Sequence, residues 1–224
     1  MRQGCELTGR ECGPSKLASM RSFDMKRPGI FIQTNDKQRI GAIVSAYSMK
    51  RNSKHAAEFD VTVMRVEDYP FFSAHDGESY CRHGVKRVWN NADLQSFTLT
   101  RFLPPQLMGY EGRSVVVDPD VFAIGDVWEL LSRDMGSHAI ICRQLPFKRQ
   151  GYATSVMLLD NAKLKHWTVE QSFHDLFSGR RDYHDWISLI QHYSLQLLHY
   201  HSAQLAQNIQ AIDQVIVHYI SQSN

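Results

Sequence analysis

Three consecutive valines, Val115-Val116-Val117, run without a spacer into Asp118-Pro119-Asp120. A β-branched run of this kind, entered through Gly112-Arg113-Ser114, is the pattern of a central strand covered on both faces, because no alternate position has to meet water. It confines the chain to a layered α/β architecture. Pro119 fixes φ and has no N–H to give to a ladder, so the strand must end at the aspartates. Open α/β sheets collect ligands at the carboxyl ends of their strands. Two carboxylates at i and i+2 of an extended chain fall on one side, with backbones roughly 7 Å apart. Their oxygens can converge on one hard cation, Mg²⁺ or Mn²⁺, which completes its shell with water and phosphate oxygens. The competing reading is a turn in which Asp118 caps the backbone and Asp120 is solvated.

The upstream pattern agrees with a layered fold. Gly29-Ile30-Phe31-Ile32-Gln33-Thr34 reads as an apolar strand that runs into the polar corner Asn35-Asp36-Lys37-Gln38. Ile40, Ile43, Val44, Tyr47 and Ser48 then recur at helical spacing and predict an amphipathic helix with that face inward. Phe59 to Val66 alternates and is rich in β-branched residues, which completes a strand, helix, strand unit and implies parallel pairing. Glu67 to Asn91, broken by Pro70, Gly77 and Gly84, is read as a long loop or short irregular pieces. Leu94 to Leu107 predicts a helix that Pro104-Pro105 ends or bends. Val127 to Leu131 predicts a short helix, and Ser137 to Arg143 and Tyr152 to Asp160 predict strands.

In the tail, Trp186, Leu189, Ile190, Tyr193, Leu197, Leu205, Ile209, Ile212, Ile216 and Tyr219 recur at three and four, which predicts one or two amphipathic helices. The expected organisation is therefore a flexible leader at 1–27, an α/β body at 28–184 and a helical tail at 185–224. The tail's apolar stripe would suit self-association or a partner.

Composition excludes several classes. Lys and Arg total 25 and Asp and Glu 23, giving a net charge of +2 that makes no electrostatic case for nucleic acid or an anionic membrane. No apolar run approaches the roughly 18 residues of a membrane span, and Met1 to Arg27 lacks the apolar centre of a signal peptide. A soluble, cytoplasmic protein is expected. Cys5, Cys12, Cys81 and Cys142 show no CxxC pairing and are read as reduced thiols.

The segment Asp118-Pro119-Asp120-Val121-Phe122-Ala123-Ile124-Gly125-Asp126-Val127-Trp128-Glu129-Leu130 resembles the glycosyltransferases of the GT-A fold, especially glycosyltransferase family 8, in which a hydrophobic strand, D-x-D, a short apolar stretch and G-D-hydrophobic-x-E-L follow one another. The likeness extends over about Ile30 to Trp167. It implies a mostly parallel sheet flanked by helices, with a C-terminal helical segment. It implies a nucleoside diphosphate sugar as donor, a UDP-sugar being favoured, a carbohydrate or other hydroxyl as acceptor, and Mn²⁺ or Mg²⁺ held by Asp118 and Asp120. By the same resemblance Thr34, Asn35 and Asp36 are expected as sugar-nucleotide contacts, and Thr98, Arg101 and Phe102 match the helix whose arginine faces the donor. Thr154-Ser155-Val156-Met157-Leu158-Leu159-Asp160 is similar to the N-S-G-V-M-L strand on the acceptor side, and Asp182 or Asp185 is expected to orient the acceptor hydroxyl.

The chain departs from the family pattern at three places. Gln38 or Arg39 stands near the base-stacking tyrosine, and Val156 stands where the N-S-G glycine would be. His192, His199 and His201 are not followed by the G-x-x-K-P-W of the family's histidine motif, which predicts an altered or impaired C-terminal side. Two alternatives remain at this level. One is a non-catalytic sugar-nucleotide-binding or interaction protein derived from a transferase. The other is a phosphatase of the haloacid dehalogenase type, with Asp118 as nucleophile.

Overall fold

The computed structural model describes residues 27–94, 96–144, 152–189 and 216–218. The expected leader, apart from Arg27, and most of the expected tail therefore lie outside the described residues. The elements are β1 (Gly29–Thr34), α1 (Arg39–Arg51), β2 (Asp60–Arg65), α2 (Pro70–Ser73), β3 (Ser79–Arg82), β4 (Val85–Val88), α3 (Pro104–Leu107), β5 (Arg113–Val117), β6 (Val121–Ala123), α4 (Trp128–Leu131), β7 (Ile140–Gln144), β8 (Tyr152–Asp160), α5 (Val169–Phe177), α6 (Tyr183–Ile187) and β9 (Ile216–His218).

The five-stranded sheet has the order β2-β1-β5-β8-β7. β1 pairs in parallel with both β2 and β5, and β8 runs antiparallel to its neighbours β5 and β7. Only β8 opposes the common direction. Val115, Val116 and Val117 are fully buried, as a strand between two covering layers requires. Their alternation divides the core: Val116 joins Phe31, Met157 and Leu159 on one face, and Val115 and Val117 join Ile30, Ile32 and Leu158 on the other.

The first helix corrects the sequence expectation. Ile40, Ile43, Val44 and Tyr47 are exposed at 79%, 53%, 48% and 60%, while Ala42, Ser45 and Met49 are buried. Close approach decides this orientation. A Cβ at Gly41 would stand 2.9 Å from the Pro119 carbonyl oxygen. Ser45 Oγ donates to the Val121 carbonyl at 2.6 Å, Asn52 Nδ2 donates to the Ala123 carbonyl at 2.6 Å, and the Ala123 N–H donates to Ser48 Oγ at 2.9 Å. Small and polar side chains let α1 settle on the backbone of β6, whose polar groups need partners when buried. A Leu-sized residue at Gly41 or Ser45 would hold the helix away.

The region read as a long loop or short irregular pieces holds an antiparallel hairpin, β3–β4. Its two-residue turn has φ of 54° at His83 and 70° at Gly84, the paired positive values of a type I′ turn, whose twist matches the flanking strands. The expected helix from Leu94 to Leu107 is instead a 3-10 turn, Thr98–Phe102, followed by α3. Pro104 opens α3 at its first position, where the missing N–H has no partner to lose. Residues Ile216–His218, on the predicted helical stripe, form β9 against β6. The β-branched pair Ile216-Val217 suits a strand, and β6 offers it an edge. Trp186 of α6, placed by the sequence in the tail, is 2% exposed and packs in the core of the body.

Candidate functional site

At the carboxyl end of β5 the chain does not continue extended. The Val121 N–H donates to the Asp118 carbonyl at 3.2 Å, which closes a β-turn with Pro119 at its second position, where a fixed φ is favourable. The extended i, i+2 geometry expected for the aspartates is thus replaced by a tight turn. Both residues still line one cavity of about 280 Å³, together with Gln38, Arg82, Arg101 and Tyr183. The turn gains its placement from Gly41 and β6 below it and from the Asp118 N–H, which donates to the Ser155 carbonyl at 3.0 Å.

Arg101 Nη2 donates to Asp118 Oδ1 at 2.9 Å, with side-chain exposures of 8% and 20%. Arg101 Nη1 donates to Thr154 Oγ1, and Thr154 Oγ1 donates to the Ile187 carbonyl at 2.6 Å. Gln33 Nε2 donates to the same Asp118 oxygen. A polar chain therefore runs from α6 through β8 and the 3-10 turn to the end of β5 and on to β1. Each link fixes the next, so the guanidinium cannot swing without freeing a buried donor. Gln33 is fully buried, and its Oε1 has no partner among the described residues. A buried acceptor left this way costs about 1–3 kcal/mol.

Of the residues expected at the sugar nucleotide, Thr34 and Asn35 are buried and engaged internally. Thr34 Oγ1 donates to the Asn35 carbonyl, while Asn35 Oδ1 accepts from the Gln38 N–H and Asn35 Nδ2 donates to the Leu94 carbonyl. Asp36 is exposed and pairs with Arg65 at 2.9 Å. None of the three is among the residues that line the cavity, whereas Gln38, at the end of the same corner, is. Asp126, in the family-like sequel, accepts from the backbone N–H groups of Trp128 and Lys54 and fixes the start of α4.

Asp182 occupies a different kind of corner. Its carboxylate accepts from the His83 N–H at 3.0 Å, the Gly84 N–H at 2.8 Å and the His184 N–H at 2.7 Å. It caps α6 and clamps the hairpin turn at once. Burial works against its charge, but the amides of Gly84, His184 and His83 outweigh burial and hold the carboxyl below the usual range. Neither Asp182 nor Asp185 is among the lining residues. The clamp sets two neighbours that are: Arg82, just before the turn, and Tyr183, just after the cap. Arg82 lies over the Tyr183 ring at 5.0 Å. Burial pushes the Tyr183 phenol above its ordinary value.

Sequence reasoning did not find Gln33, Arg82 or Tyr183. A lone glutamine at the end of an apolar strand was a usable signal for the first. Arg82 and Tyr183 gave none, because the hairpin that unites them was read as loop.

No family model matches the sequence, and no curated protein sequence does either. Solved structures do. The apo glycosyltransferase GlyE of Streptococcus pneumoniae TIGR4 superposes with a TM-score of 0.54 at 18% identity, over 89% of this chain and 55% of GlyE. The galactosyltransferase LgtC, solved with donor and acceptor sugar analogs, gives a TM-score of 0.53 at 11% identity, over 88% of both chains. The chain has the GT-A glycosyltransferase fold. The bifunctional glycosyltransferase WbbM adds a third match, with a TM-score of 0.53 at 13% identity over 89% of this chain and 46% of WbbM. The chain thus spans about half the length of GlyE and WbbM. In this GT-A body the sheet is mixed but mostly parallel, as the resemblance implied, and the aspartate turn closes its central strand. No helix among the described residues is long and apolar enough to cross a membrane.

Proposed function

We propose that this chain transfers a sugar from a nucleoside diphosphate sugar, a UDP-sugar being favoured, to a hydroxyl of a carbohydrate or other acceptor. The observation that supports this reading most is the facing of Asp118, Asp120 and Arg101 on one cavity at the carboxyl end of a buried central strand. Neither the phosphatase nor the non-catalytic alternative is favoured by any of the similar structures.

Two carboxylates at one cavity fit a hard divalent cation, which commonly takes one or two protein carboxylates and fills its shell with water and phosphate oxygens. The orphaned Gln33 Oε1 beside Asp118 is consistent with that use. No group of three or more His, Cys, Asp or Glu poised for a metal occurs among the described residues, and the tail histidines His192, His199 and His201 lie outside them. Asp118 and Asp120 would hold the cation, and Mn²⁺ or Mg²⁺ so bound supplies Lewis-acid neutralisation of the departing diphosphate.

The chain's own residues do the rest. Asp118 is shared with the Arg101 guanidinium, so Asp118 and Asp120 would hold a cation together. Arg101, held by Thr154 and Asp118, presents a fixed positive charge at the cavity wall, where it needs no reorganisation as negative charge grows on the leaving group. Asp182 is a positioning residue in this scheme, through the hairpin turn and the start of α6 that it clamps. The test is turnover of UDP-sugars with Mn²⁺ by the full chain and by Asp120→Asn. Metal-dependent release of UDP by the wild type and its loss in the variant are expected. Equal release by both would refute the assignment.

A further inference from the structure

The cavity holds a charge that the transferase scheme above does not use. Arg82 lines it from the hairpin, is half-buried, and has no ion pair or side-chain hydrogen bond among the described residues. Its side chain lies over the Tyr183 ring, whose centroid is 5.0 Å from the guanidinium carbon. A guanidinium over an aromatic face keeps its N–H groups in the plane of the fork, whose geometry matches the oxygens of an oxyanion. The mounting is rigid. The turn that follows Arg82 is tied by two amides to Asp182, and the helix that carries Tyr183 is capped by the same carboxylate.

The charges around the cavity make the point sharper. Arg101 is already paired with Asp118, so part of its charge is met within the wall. Arg82 stands as the remaining cation, on the same cavity as Asp120. A part-exposed guanidinium that no carboxylate engages among the described residues keeps N–H groups to offer an oxyanion. A ligand that satisfies both poles carries an anionic oxygen group for Arg82 and suits a cation or donor at the aspartates.

We propose that Arg82 is a phosphate-binding residue of the substrate site, contacting a phosphate oxygen through the bidentate edge of its guanidinium. This deepens the transferase reading and rests on it. The phosphate belongs to the donor's diphosphate or to a phosphorylated acceptor, and the arms of the experiment separate these sources.

The experiment is calorimetric titration of the full chain and of Arg82→Gln and Arg82→Lys with pyrophosphate, UDP and uridine in the presence of Mg²⁺, then with glycerol 3-phosphate after saturation with UDP. If the donor supplies the phosphate, Arg82→Gln binds pyrophosphate and UDP about 10- to 100-fold more weakly, the range for losing a hydrogen bond to a charged group, and uridine unchanged. Arg82→Lys recovers part of the loss, because an ammonium keeps the charge but not the fork. If the acceptor supplies it, UDP binding is unchanged and glycerol 3-phosphate binding is lost in Arg82→Gln. Wild-type affinity of Arg82→Gln for UDP, pyrophosphate and glycerol 3-phosphate alike overturns the inference while the transferase reading stands. Binding of pyrophosphate but not UDP by the wild type, with loss in Arg82→Gln, keeps Arg82 and sinks the nucleotide reading. A wild type that binds none of the probes sinks both.

Discussion

Asp118 opens a turn and Asp182 opens a helix, both were singled out from the sequence, and their surroundings differ in kind. Asp118 meets a guanidinium and a glutamine amide at the wall of a cavity, whereas Asp182 is surrounded by backbone N–H groups from a turn and a helix start. Backbone amides cannot leave, so the second carboxylate is fixed as a structural part. Side-chain donors at a cavity wall can be shared with a ligand, so the first remains available to chemistry. The lesson is that what donates to a carboxylate, and whether that donor can move, decides between the two roles.

Substitutions can sharpen or break this contrast. The largest effect is expected at Asp120, the partner of Asp118 across the turn: Asp120→Asn should lower metal-dependent release of UDP by at least about 10²–10³-fold, the scale for one lost charge contact, with an unchanged melting temperature. Next comes Arg101→Gln, which strands Asp118 beside the cavity. Breaking a buried pair from one side costs about 3–5 kcal/mol. A fifth of the Asp118 side chain still meets solvent, so about 2 kcal/mol is expected in urea unfolding, mostly recovered in the double variant with Asp118→Asn. At the other corner Asp182→Ala should cost about 1–2 kcal/mol as a lost cap and speed amide exchange at His83 and Gly84, whereas turnover would fall through misplacement of Arg82. If Asp182→Ala abolishes turnover while those amides stay protected, the contrast fails.

The smallest effect concerns pH. The His184 ring stacks on His83 at 3.9 Å. Burial, together with His83, holds the His184 imidazole below its ordinary value. The unfolded chain therefore takes up a proton first as pH falls through about 6.5, and stability drops from there down to the lower folded value. His184→Gln should flatten that part of the stability profile measured by urea midpoints.

Much of the frame was legible from residues alone. The β-branched run at Val115 to Val117 and the polar corner at Asn35 to Gln38 placed the central strand, the first crossover and the aspartates, because full burial and chain reversal leave strong local marks. The face of α1 was not legible. Periodicity pointed to Ile40, Ile43, Val44 and Tyr47, but a helix that must touch backbone chooses its small residues, and that requirement comes from β6, far along the chain. The hairpin was missed for a related reason, since His83-Gly84 acquires its meaning as a turn only from its pairing and from Asp182, about a hundred residues on. Arg82 and Tyr183 went unread with it.

The contact between Gly41 and Pro119 leaves no slack for even one carbon atom. The first helix and the aspartate loop are therefore coupled like two parts of a hinge pin and socket. A methyl group added at position 41 would retune the acidic end of the cavity from behind, without any change to the residues that face it.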